Sequence, residues 1–172
     1  MDLLNLKIFT SSDADELSAD NKEIKIEVQS VGLLKGNTHA LGISFAKSGL
    51  DLDITQNLEI WAIASLEKIS FNNYVQKNPI NIIAGSGVGI NEKTSAICIS
   101  DFAKEVLYAN LLDIIPDGFN LNLEIIFPNG KFLAERTSNK SFGIVDGLSI
   151  IGTSAETYSS ASPDQLEQAK KI

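Results

Sequence analysis

Alternation of apolar and polar residues marks the first half of the chain. In residues 22–34, KEIKIEVQSVGLL, the apolar residues Ile24 and Ile26 alternate with charged neighbours. A period of two residues is typical of a strand with one buried face. Two more strand-like stretches follow at residues 38–46 (THALGISFA) and 57–68 (NLEIWAIASLEK), each bounded by turn-forming residues. The pattern predicts a meander of antiparallel strands.

Two further strand signals lie later in the chain. Residues 80–85, INIIAG, form a short run that is apolar apart from Asn81, which indicates a strand covered on both faces. Residues 121–135, LNLEIIFPNGKFLAE, place the dipeptide Asn129-Gly130 between two apolar stretches. Because Asn-Gly favours the tight turns that join antiparallel strands, this segment predicts a hairpin.

The clearest helix signal covers residues 101–113, DFAKEVLYANLLD. Ser100 is placed as its N-cap, Val106 and Leu107 fall on one face, and Pro116–Gly118 end it. Strands and helices are thus segregated along the chain rather than alternating. This order predicts an α+β fold, mainly of antiparallel strands with few helices, in a single domain.

The two ends differ from the middle in composition. Residues 1–21 include a polar, acidic stretch and are predicted to be a flexible N-terminal segment, whereas residues 22–158 form the predicted domain. In residues 159–172, Ser162 and Pro163 have the pattern of a helix start. We expect this short helix to be the truncated start of a missing domain.

Composition and charge exclude several classes of protein. A net charge of −8 argues against nucleic-acid binding, and no apolar run is long enough to span a membrane. Asp2 stands where a secretory signal would be basic, so the cytoplasm is the expected location. Cys98 is the single cysteine and His39 the single histidine, which excludes an internal disulfide and any Cys-cluster or multi-His metal site. We therefore expect no protein-bound metal.

Three glycines at alternate positions, Gly85, Gly87 and Gly89, raise the possibility of a phosphate-binding loop. A dinucleotide fingerprint needs G-x-G-x-x-G at the start of a helix, with an acid about 20 residues further on. Here the third glycine comes one place early, and the following INEKTSAICIS is not a helix start. No Lys-Ser/Thr pair follows either, so the P-loop alternative also fails. The run is then either a strand-end turn that needs glycine or a backbone surface facing some other ligand.

A second glycine-rich stretch occupies residues 143–156, GIVDGLSIIGTSAE. Ser149 and Thr153 flank a short apolar strand beside the glycines. Small residues of this kind let a bulky ligand approach backbone donors, although a buried strand with capped ends explains them equally well.

Taken together, four segments resemble the cobalt-precorrin-5B C1-methyltransferases of anaerobic cobalamin biosynthesis. These are KSGLDLDIT, GSGVG, AERTSNKSFGIV and GLSIIGTS, in that order. The family pattern is approximately K-D-A-G-D-D-P-D-V-T, G-x-G-V-G and L-A-x-x-T-x-N-x-x-x-G-I-x-G-G-I-S-I-L-G-T-T. The first motif departs from it at Lys47, Leu50 and Leu52, and NEKTSA replaces the T-K-P-G-L after the glycine run. The family's opening G-Y-T-T-G segment and its C-terminal α/β domain have no counterpart here, so the resemblance is to its central portion.

The resemblance implies a function and a set of residues. The implied reaction transfers a methyl group from S-adenosylmethionine to C1 of cobalt-precorrin-5B and gives cobalt-precorrin-6A. The implied partner is a cobalt-corrinoid small molecule, with neither nucleic acid nor membrane. Backbone N–H groups of the glycine segments would bind the macrocycle, with Arg136 and Lys140 as partners of its carboxylates. No catalytic residue is assigned. The implied substrate-binding residues are Asp51, Asp53, Thr55, Gly85, Ser86, Gly87, Gly89, Arg136, Asn139, Gly147, Ser149, Gly152 and Thr153.

Two alternatives remain open at this point. One is a truncated or diverged module that binds a corrinoid or tetrapyrrole without catalysing its methylation. The other is a structural domain whose glycine segments serve folding alone, in which case Asp51 and Asp53 only cap turns and Arg136 is a solvated surface residue.

Overall fold

The computed structural model describes residues 3–8, 22–46, 54–69 and 78–151. The strands in chain order are β1 (Leu3–Ile8), β2 (Lys22–Glu27), β3 (Ser30–Leu34), β4 (His39–Phe45), β5 (Glu59–Lys68), β6 (Ile80–Ala84), β7 (Gly87–Val88), β8 (Ile90–Asn91), β9 (Phe119–Ile126), β10 (Ile144–Val145) and β11 (Gly147–Leu148). The helices are α1 (Asp101–Leu111) and α2 (Gly130–Ala134), with 3₁₀ turns at Leu112–Ile114 and Asn139–Phe142. Strands followed by few, short helices confirm the predicted α+β class.

The main sheet has five strands in the order β3-β4-β5-β9-β6. Strands β3, β4 and β5 pair antiparallel in chain order, which confirms the predicted meander, and β9 pairs antiparallel with β5. Strand β6 instead runs parallel to β9, with Ile80 opposite Leu121. The sheet is therefore mixed, and its parallel edge carries the chain into the glycine run.

The first predicted strand is two strands. Residues 22–34 divide into β2 and β3, and β2 pairs with β1 rather than with the main sheet. The break falls at residues 28–29, where the Gln29 amide donates to the Ile43 carbonyl at 2.9 Å. Strand β1 itself lies within the N-terminal segment that the sequence analysis expected to be flexible.

The core lies on one face of the main sheet and is centred on β9. This strand alternates buried and half-buried residues, and Leu121, Leu123 and Ile125 are the buried ones. Strand β9 is hydrogen-bonded to β5 on one side and to β6 on the other, so it is an interior strand of the sheet. Its side chains on the core face are therefore not exposed at a sheet edge. Leu107 and Leu111 of α1 pack against the same cluster. The helix thus covers the face of the sheet that its apolar side matches.

Helix α1 begins as predicted. The hydroxyl oxygen of Ser100 accepts a hydrogen bond from the Ala103 amide at 3.2 Å, which satisfies one of the otherwise unpaired donors of the first turn. The α-helix ends at Leu111, and a 3₁₀ turn over Leu112–Ile114 continues it to just before Pro116.

Two sequence predictions are wrong. The hairpin around Asn129-Gly130 does not form, because both edges of β9 are already paired and the chain enters α2 instead. A type I′ turn needs positive φ at both central residues, whereas Asn129 has φ −98°. Strand β6 is also not covered on both faces by the described residues, since Ile83 is 40% exposed while Ile80 is 5% exposed.

Candidate functional site

Two glycine segments that are about 60 residues apart in the sequence meet in space. Gly87 of β7 pairs in parallel register with Gly147 of β11, and Val88 pairs with Leu148. Gly130, the first residue of α2, packs against the same point: a Cβ added to either Gly130 or Gly147 would collide with the Gly87 carbonyl oxygen. We call the contact of these three residues the glycine crossing.

Close backbone approach explains why these positions are glycine. Gly87 has φ +79°, a left-handed conformation that residues with a Cβ rarely adopt, and a Cβ there would collide with the Phe127 carbonyl oxygen. Gly89 is similarly enclosed, since its Cβ would lie 2.7 Å from the Ile144 Cγ2. Val88, between them, is 1% exposed. The crossing is therefore a packed junction of backbone segments.

Backbone hydrogen bonds hold the glycine run from several sides. The Gly85 amide donates to the Ile125 carbonyl at 2.8 Å, and the Gly89 amide donates to the Leu148 carbonyl at 2.7 Å. The Ser86 carbonyl accepts from the Phe127 amide at 3.0 Å. The amides of Gly85 and Gly89 are thus used within the chain.

Cys98 belongs to the same junction through its backbone. Its amide donates to the Gly89 carbonyl at 2.9 Å, and its carbonyl accepts from the Ile150 amide at 2.8 Å. Burial raises the pKa of the Cys98 thiol above its ordinary value of 9.0, because the thiolate loses hydration there. The thiol is therefore a weakly reactive group beside the crossing.

A cavity of about 130 Å³ opens directly beside the crossing. It lies between α2, the 3₁₀ turn after it, and β10–β11, and we call it the charged pocket. Two lysines and two acids line it, together with one amide and one residue of the crossing: Lys131, Lys140, Glu135, Asp146, Asn139 and Gly147.

Specific contacts shape this pocket. The Asn139 side-chain nitrogen donates to the Gly147 carbonyl at 3.1 Å, which ties the 3₁₀ turn to β11. The Lys131 ammonium lies 3.8 Å from an Asp146 carboxylate oxygen, and both side chains are well exposed. Asp146 has φ +66°, a conformation that aspartate tolerates better than most residues. The turn between β10 and β11 thereby presents a carboxylate at the pocket.

An exposed surface adjoins the pocket along the chain. Phe132 of α2 is 67% exposed and Phe142 of the 3₁₀ turn is 76% exposed. Arg136, in the turn between them, is also exposed. Exposed aromatic residues and arginine are enriched at binding surfaces, and these three residues lie close together in the sequence. We call these three residues the aromatic surface.

A second cavity, of about 420 Å³, lies at the other end of β9. Its polar lining consists of four asparagines and one acid: Asn78, Asn81, Asn120, Asn122 and Glu67. We call it the amide pocket.

Hydrogen bonds link the side chains of the amide pocket. The Asn81 nitrogen donates to the Asn122 carbonyl oxygen at 3.1 Å, and the Asn122 nitrogen donates to Glu67 at 3.4 Å. Asn78 donates to the Tyr108 hydroxyl at 2.6 Å. Among the residues that the structure describes, this pocket differs from the charged pocket in having no cation in its lining.

The structure brings together most of the described residues that the sequence analysis assigned to substrate. Gly85 and Gly89 border the glycine crossing, and Gly87 and Gly147 belong to it. Asn139 lines the charged pocket, and Ser149 follows β11 directly. The predicted residues with a described position at or next to this region are Gly85, Ser86, Gly87, Gly89, Arg136, Asn139, Gly147 and Ser149.

The first predicted motif is only partly described. Thr55 lies in the turn before β5, where its carbonyl accepts from the Leu58 amide at 2.9 Å. Leu58 shares a buried cluster with Val88 and Leu148, which links this motif to the crossing. Asp51, Asp53, Gly152 and Thr153 lie outside the described residues, as does the helix predicted in residues 159–172.

Sequence analysis missed three residues of the charged pocket, Lys131, Glu135 and Asp146. The predicted hairpin placed Lys131 and Glu135 on a strand. In the structure Lys131 lies in α2 and Glu135 is its C-cap, and both line the pocket. A strand and a helix both put residues four positions apart on one side, so the spacing K-x-x-x-E alone did not indicate the pocket.

Among residues 3–8, 22–46, 54–69 and 78–151, no cluster of three or more His, Cys, Asp or Glu side chains is arranged to hold a metal ion. Within the same described ranges, no helix has the length and apolar character needed to cross a membrane.

The arrangement matches a known fold. The crystal structure of the cobalamin biosynthesis protein CbiD from Archaeoglobus fulgidus superposes with a TM-score of 0.60 over 98% of this chain and 49% of that chain, at 20% sequence identity. The chain therefore has the α+β fold of that structure.

Sequence comparison then identifies the family. The CbiD family model matches residues 6–159, so the chain belongs to the CbiD family. Relatives named cobalt-precorrin-5B C(1)-methyltransferase include one from Prochlorococcus marinus strain MIT 9312, 80% identical over 94% of this chain and 44% of that protein. Another, from strain NATL2A, is 40% identical over 95% of this chain and 44% of that protein. The chain spans less than half the length of these curated relatives.

Proposed function

We propose that this chain forms part of an S-adenosylmethionine-dependent methyltransferase that methylates C1 of cobalt-precorrin-5B to give cobalt-precorrin-6A in anaerobic cobalamin biosynthesis. Membership of the CbiD family and the names of the relatives support this proposal. The observation that carries it is the glycine crossing, because it joins two motifs of the family pattern, at Gly87 and Gly147, beside a charged pocket and an exposed aromatic surface.

The proposed substrate is a wide, largely apolar ring with carboxylates around its edge. The aromatic surface suits such a ring, because Phe132 and Phe142 present apolar faces and Arg136 presents a planar guanidinium that pairs with a carboxylate. The charged pocket, at about 130 Å³, is too small for a macrocycle. We therefore place the ring on the aromatic surface, outside the pocket.

The chemistry requires positioning more than acid or base catalysis. S-adenosylmethionine supplies a methyl group already activated by the positive sulfur, which keeps the bonding electron pair and leaves as S-adenosylhomocysteine when the new carbon–carbon bond forms. The contribution of this chain is to bind the ring, orient C1 and exclude water. The glycine crossing suits that task because a tightly packed backbone gives the surrounding residues a fixed position.

We assign the ring-binding role to specific residues on this basis. Arg136 is the proposed carboxylate partner, and Asn139 and Ser149 are proposed to orient the segments beside the ring. The glycines contribute close packing: Gly85, Gly87 and Gly147 let the segments approach each other more closely than a Cβ would allow. Asp51, Asp53, Thr55, Gly152 and Thr153 remain proposed substrate contacts from the family pattern alone. The proposed location is the cytoplasm, which the names of the relatives as biosynthetic methyltransferases support.

Titration with a carboxylated tetrapyrrole tests the binding part of this proposal. Uroporphyrin, an octacarboxylate, is expected to bind the 172-residue chain with a shift of its absorption band, and its methyl ester is expected to bind more weakly. Arg136→Gln should lower the affinity for uroporphyrin about tenfold, because hydrogen bonds to charged groups contribute about 1.5–3 kcal/mol. Lys104→Gln, which changes an exposed lysine of α1, is the matched control and should bind as the unmodified chain does.

Methyl transfer is tested separately. The same chain, supplied with cobalt-precorrin-5B and S-adenosylmethionine labelled in its methyl group, is expected to yield a labelled corrinoid. Binding of uroporphyrin without transfer of label would favour the alternative, a corrinoid-binding module without activity. That alternative has one observation in its favour, because the amides of Gly85 and Gly89 donate within the chain rather than toward a ligand. Failure of both binding and transfer would overturn both functions.

A further inference from the structure

Among the described residues, the lining of the charged pocket combines four charged side chains, whose charges sum to zero, with three apolar residues, Ala134, Ile144 and Val145. Lys131 and Lys140 carry positive charges, and Glu135 and Asp146 carry negative ones. A simple anion placed there would meet two carboxylates, and a simple cation would meet two ammonium groups. A ligand group that carries one positive and one negative charge close together matches this lining better than a simple anion or a simple cation does.

The size of the pocket limits what part of a ligand it can hold. Its volume of about 130 Å³ is well below the roughly 300–1,000 Å³ of complete small-molecule sites. It holds about four water-sized volumes of about 30 Å³ each, which suits a terminal group of a few heavy atoms. An α-amino-carboxylate end group has this size and carries its opposite charges on two groups that are attached to the same carbon.

From these observations we propose that the charged pocket binds the α-amino-carboxylate end of the methyl donor, S-adenosylmethionine. The inference rests on the proposed methyltransferase function. Lys131 and Lys140 pair with the carboxylate of the ligand, and Asp146 and Glu135 accept hydrogen bonds from its ammonium group. These are binding residues and take no part in breaking or forming the transferred bond.

The ion pair already present does not prevent this binding. Lys131 and Asp146 are 3.8 Å apart, and their side chains are 66% and 59% exposed. Exposed pairs of this kind hold each other weakly, because water screens both charges. An incoming carboxylate and ammonium group can therefore take the place of the contact while keeping each charge next to an opposite one.

The position of the pocket is consistent with a donor site. Gly147 belongs both to the pocket lining and to the glycine crossing, and Asn139 ties the pocket to β11 through its bond to Gly147. Arg136, the proposed partner of the ring, lies in the turn that joins the two lining elements. A donor anchored by its end group here extends toward the surface on which the ring is proposed to lie.

Two nucleosides that share the adenosine and the sulfur but differ in the amino-acid chain on that sulfur provide the test. S-adenosylhomocysteine has the α-amino-carboxylate, whereas 5′-methylthioadenosine lacks it. Calorimetric titration of the 172-residue chain is expected to give an affinity for S-adenosylhomocysteine at least tenfold higher than for 5′-methylthioadenosine. Equal affinities for the two nucleosides, or no binding of S-adenosylhomocysteine, would overturn the inference.

Variants then locate the effect. Lys131→Gln and Asp146→Asn should each weaken S-adenosylhomocysteine about five- to tenfold and leave 5′-methylthioadenosine unchanged. The matched controls are Lys104→Gln and Asp101→Asn, which alter a lysine–aspartate pair on α1 with atoms 3.2 Å apart. Both controls should bind as the unmodified chain does. A loss of equal size in variants and controls would contradict the assignment of the pocket.

Uroporphyrin titration of the same variants separates this inference from the proposed function. If Lys131→Gln weakens uroporphyrin but not S-adenosylhomocysteine, the pocket binds a carboxylate arm of the ring and the inference is wrong while the function stands. If uroporphyrin binding is unchanged in Lys131→Gln and S-adenosylhomocysteine binding falls, the inference is supported. A chain that binds neither compound removes the function and the inference together.

Discussion

The glycine crossing and the charged pocket share Gly147 but are built in opposite ways. At the crossing, backbone atoms of Gly87, Gly130 and Gly147 meet so closely that no Cβ fits, and the residues are buried. At the pocket, long side chains such as Lys131 and Asp146 meet at 3.8 Å and remain well exposed. Close backbone packing stabilises the crossing. The side chains of the pocket depend for their position on the elements that meet at the crossing.

This difference separates residues that specify the fold from residues that specify a ligand. A change at the crossing acts on stability, because it forces backbone segments apart. A change at the pocket acts on binding, because exposed charges contribute little to stability. The amide pocket at the other end of β9 gives a third case, in which the Asn81 side chain donates to the Asn122 side chain at 3.1 Å and the described part of the lining holds neither lysine nor arginine.

The largest effect is expected at the crossing itself. Gly87→Ala should lower the free energy of unfolding by about 2–5 kcal/mol, since it adds the cost of a left-handed alanine to a collision with the Phe127 carbonyl. The matched control is Gly143→Ala, which also has positive φ, +69°, but nothing within 4 Å of the added Cβ. It should cost only about 1–2 kcal/mol. Equal losses by urea denaturation would show that close approach at Gly87 does not matter.

A smaller effect is expected at the link between the two regions. Asn139→Ala removes the side-chain bond to the Gly147 carbonyl and should cost about 0.5–1.5 kcal/mol. Asn110→Ala is the control, because Asn110 makes a similar bond to the Val106 carbonyl, at 2.7 Å, on helix α1. Both variants should lose similar stability in urea, but only Asn139→Ala should also weaken S-adenosylhomocysteine. Unchanged ligand affinity in Asn139→Ala would mean that the link does not shape the pocket.

At the pocket, stability should hardly change. Lys131→Gln is expected to alter the free energy of unfolding by less than about 0.5 kcal/mol, because its pair with Asp146 is exposed. Lys104→Gln, whose partner Asp101 is also exposed, should behave alike. A loss of more than about 1 kcal/mol in thermal or urea unfolding of Lys131→Gln would remove the contrast between pocket and crossing.

The smallest effect is expected at Cys98, which is the single cysteine of the chain. Its amide donates to the Gly89 carbonyl, beside the crossing. Burial raises its pKa above 9.0, so reaction with an alkylating reagent should reach its midpoint at a higher pH than for a free thiol. Because the pKa of this thiol is higher in the folded state than in the unfolded state, it makes a small contribution to the free energy of unfolding. That contribution is fully present below the unfolded pKa and is lost as the pH rises through the folded pKa.

The same thiol reports on both regions. Lys131→Gln should leave the pH midpoint of Cys98 alkylation unchanged. Gly87→Ala should move it toward the value of a free thiol, because a loosened crossing hydrates the thiolate. An unshifted midpoint in the unmodified chain would contradict the burial of the thiol.

Much of the fold was predictable because it depends on local patterns. The alternation along β4 and β5 indicated two strands, and Ser100 with the apolar spacing after it indicated the start of α1. Competition between strands was not predictable. Asn129-Gly130 has the residue types of a hairpin turn, but both edges of β9 are hydrogen-bonded, one to β5 and the other to β6. Strands β5 and β6 come from other parts of the sequence, so their pairing with β9 leaves no local pattern near Asn129-Gly130. The residues around that dipeptide therefore do not reveal that the hairpin is excluded.

For this protein, the sequence by itself determined the α+β class, the capped helix α1 and the order of motifs that resembles the CbiD family. Those features depend on residue type and short spacings, which are written along the chain. Only the tertiary structure decided that Gly87 meets Gly147 in parallel, that residues 130–134 are helical, and that Lys131 faces Asp146 across a pocket. The physical reason is that close backbone approach and opposed charges depend on distances between segments, which no local pattern specifies.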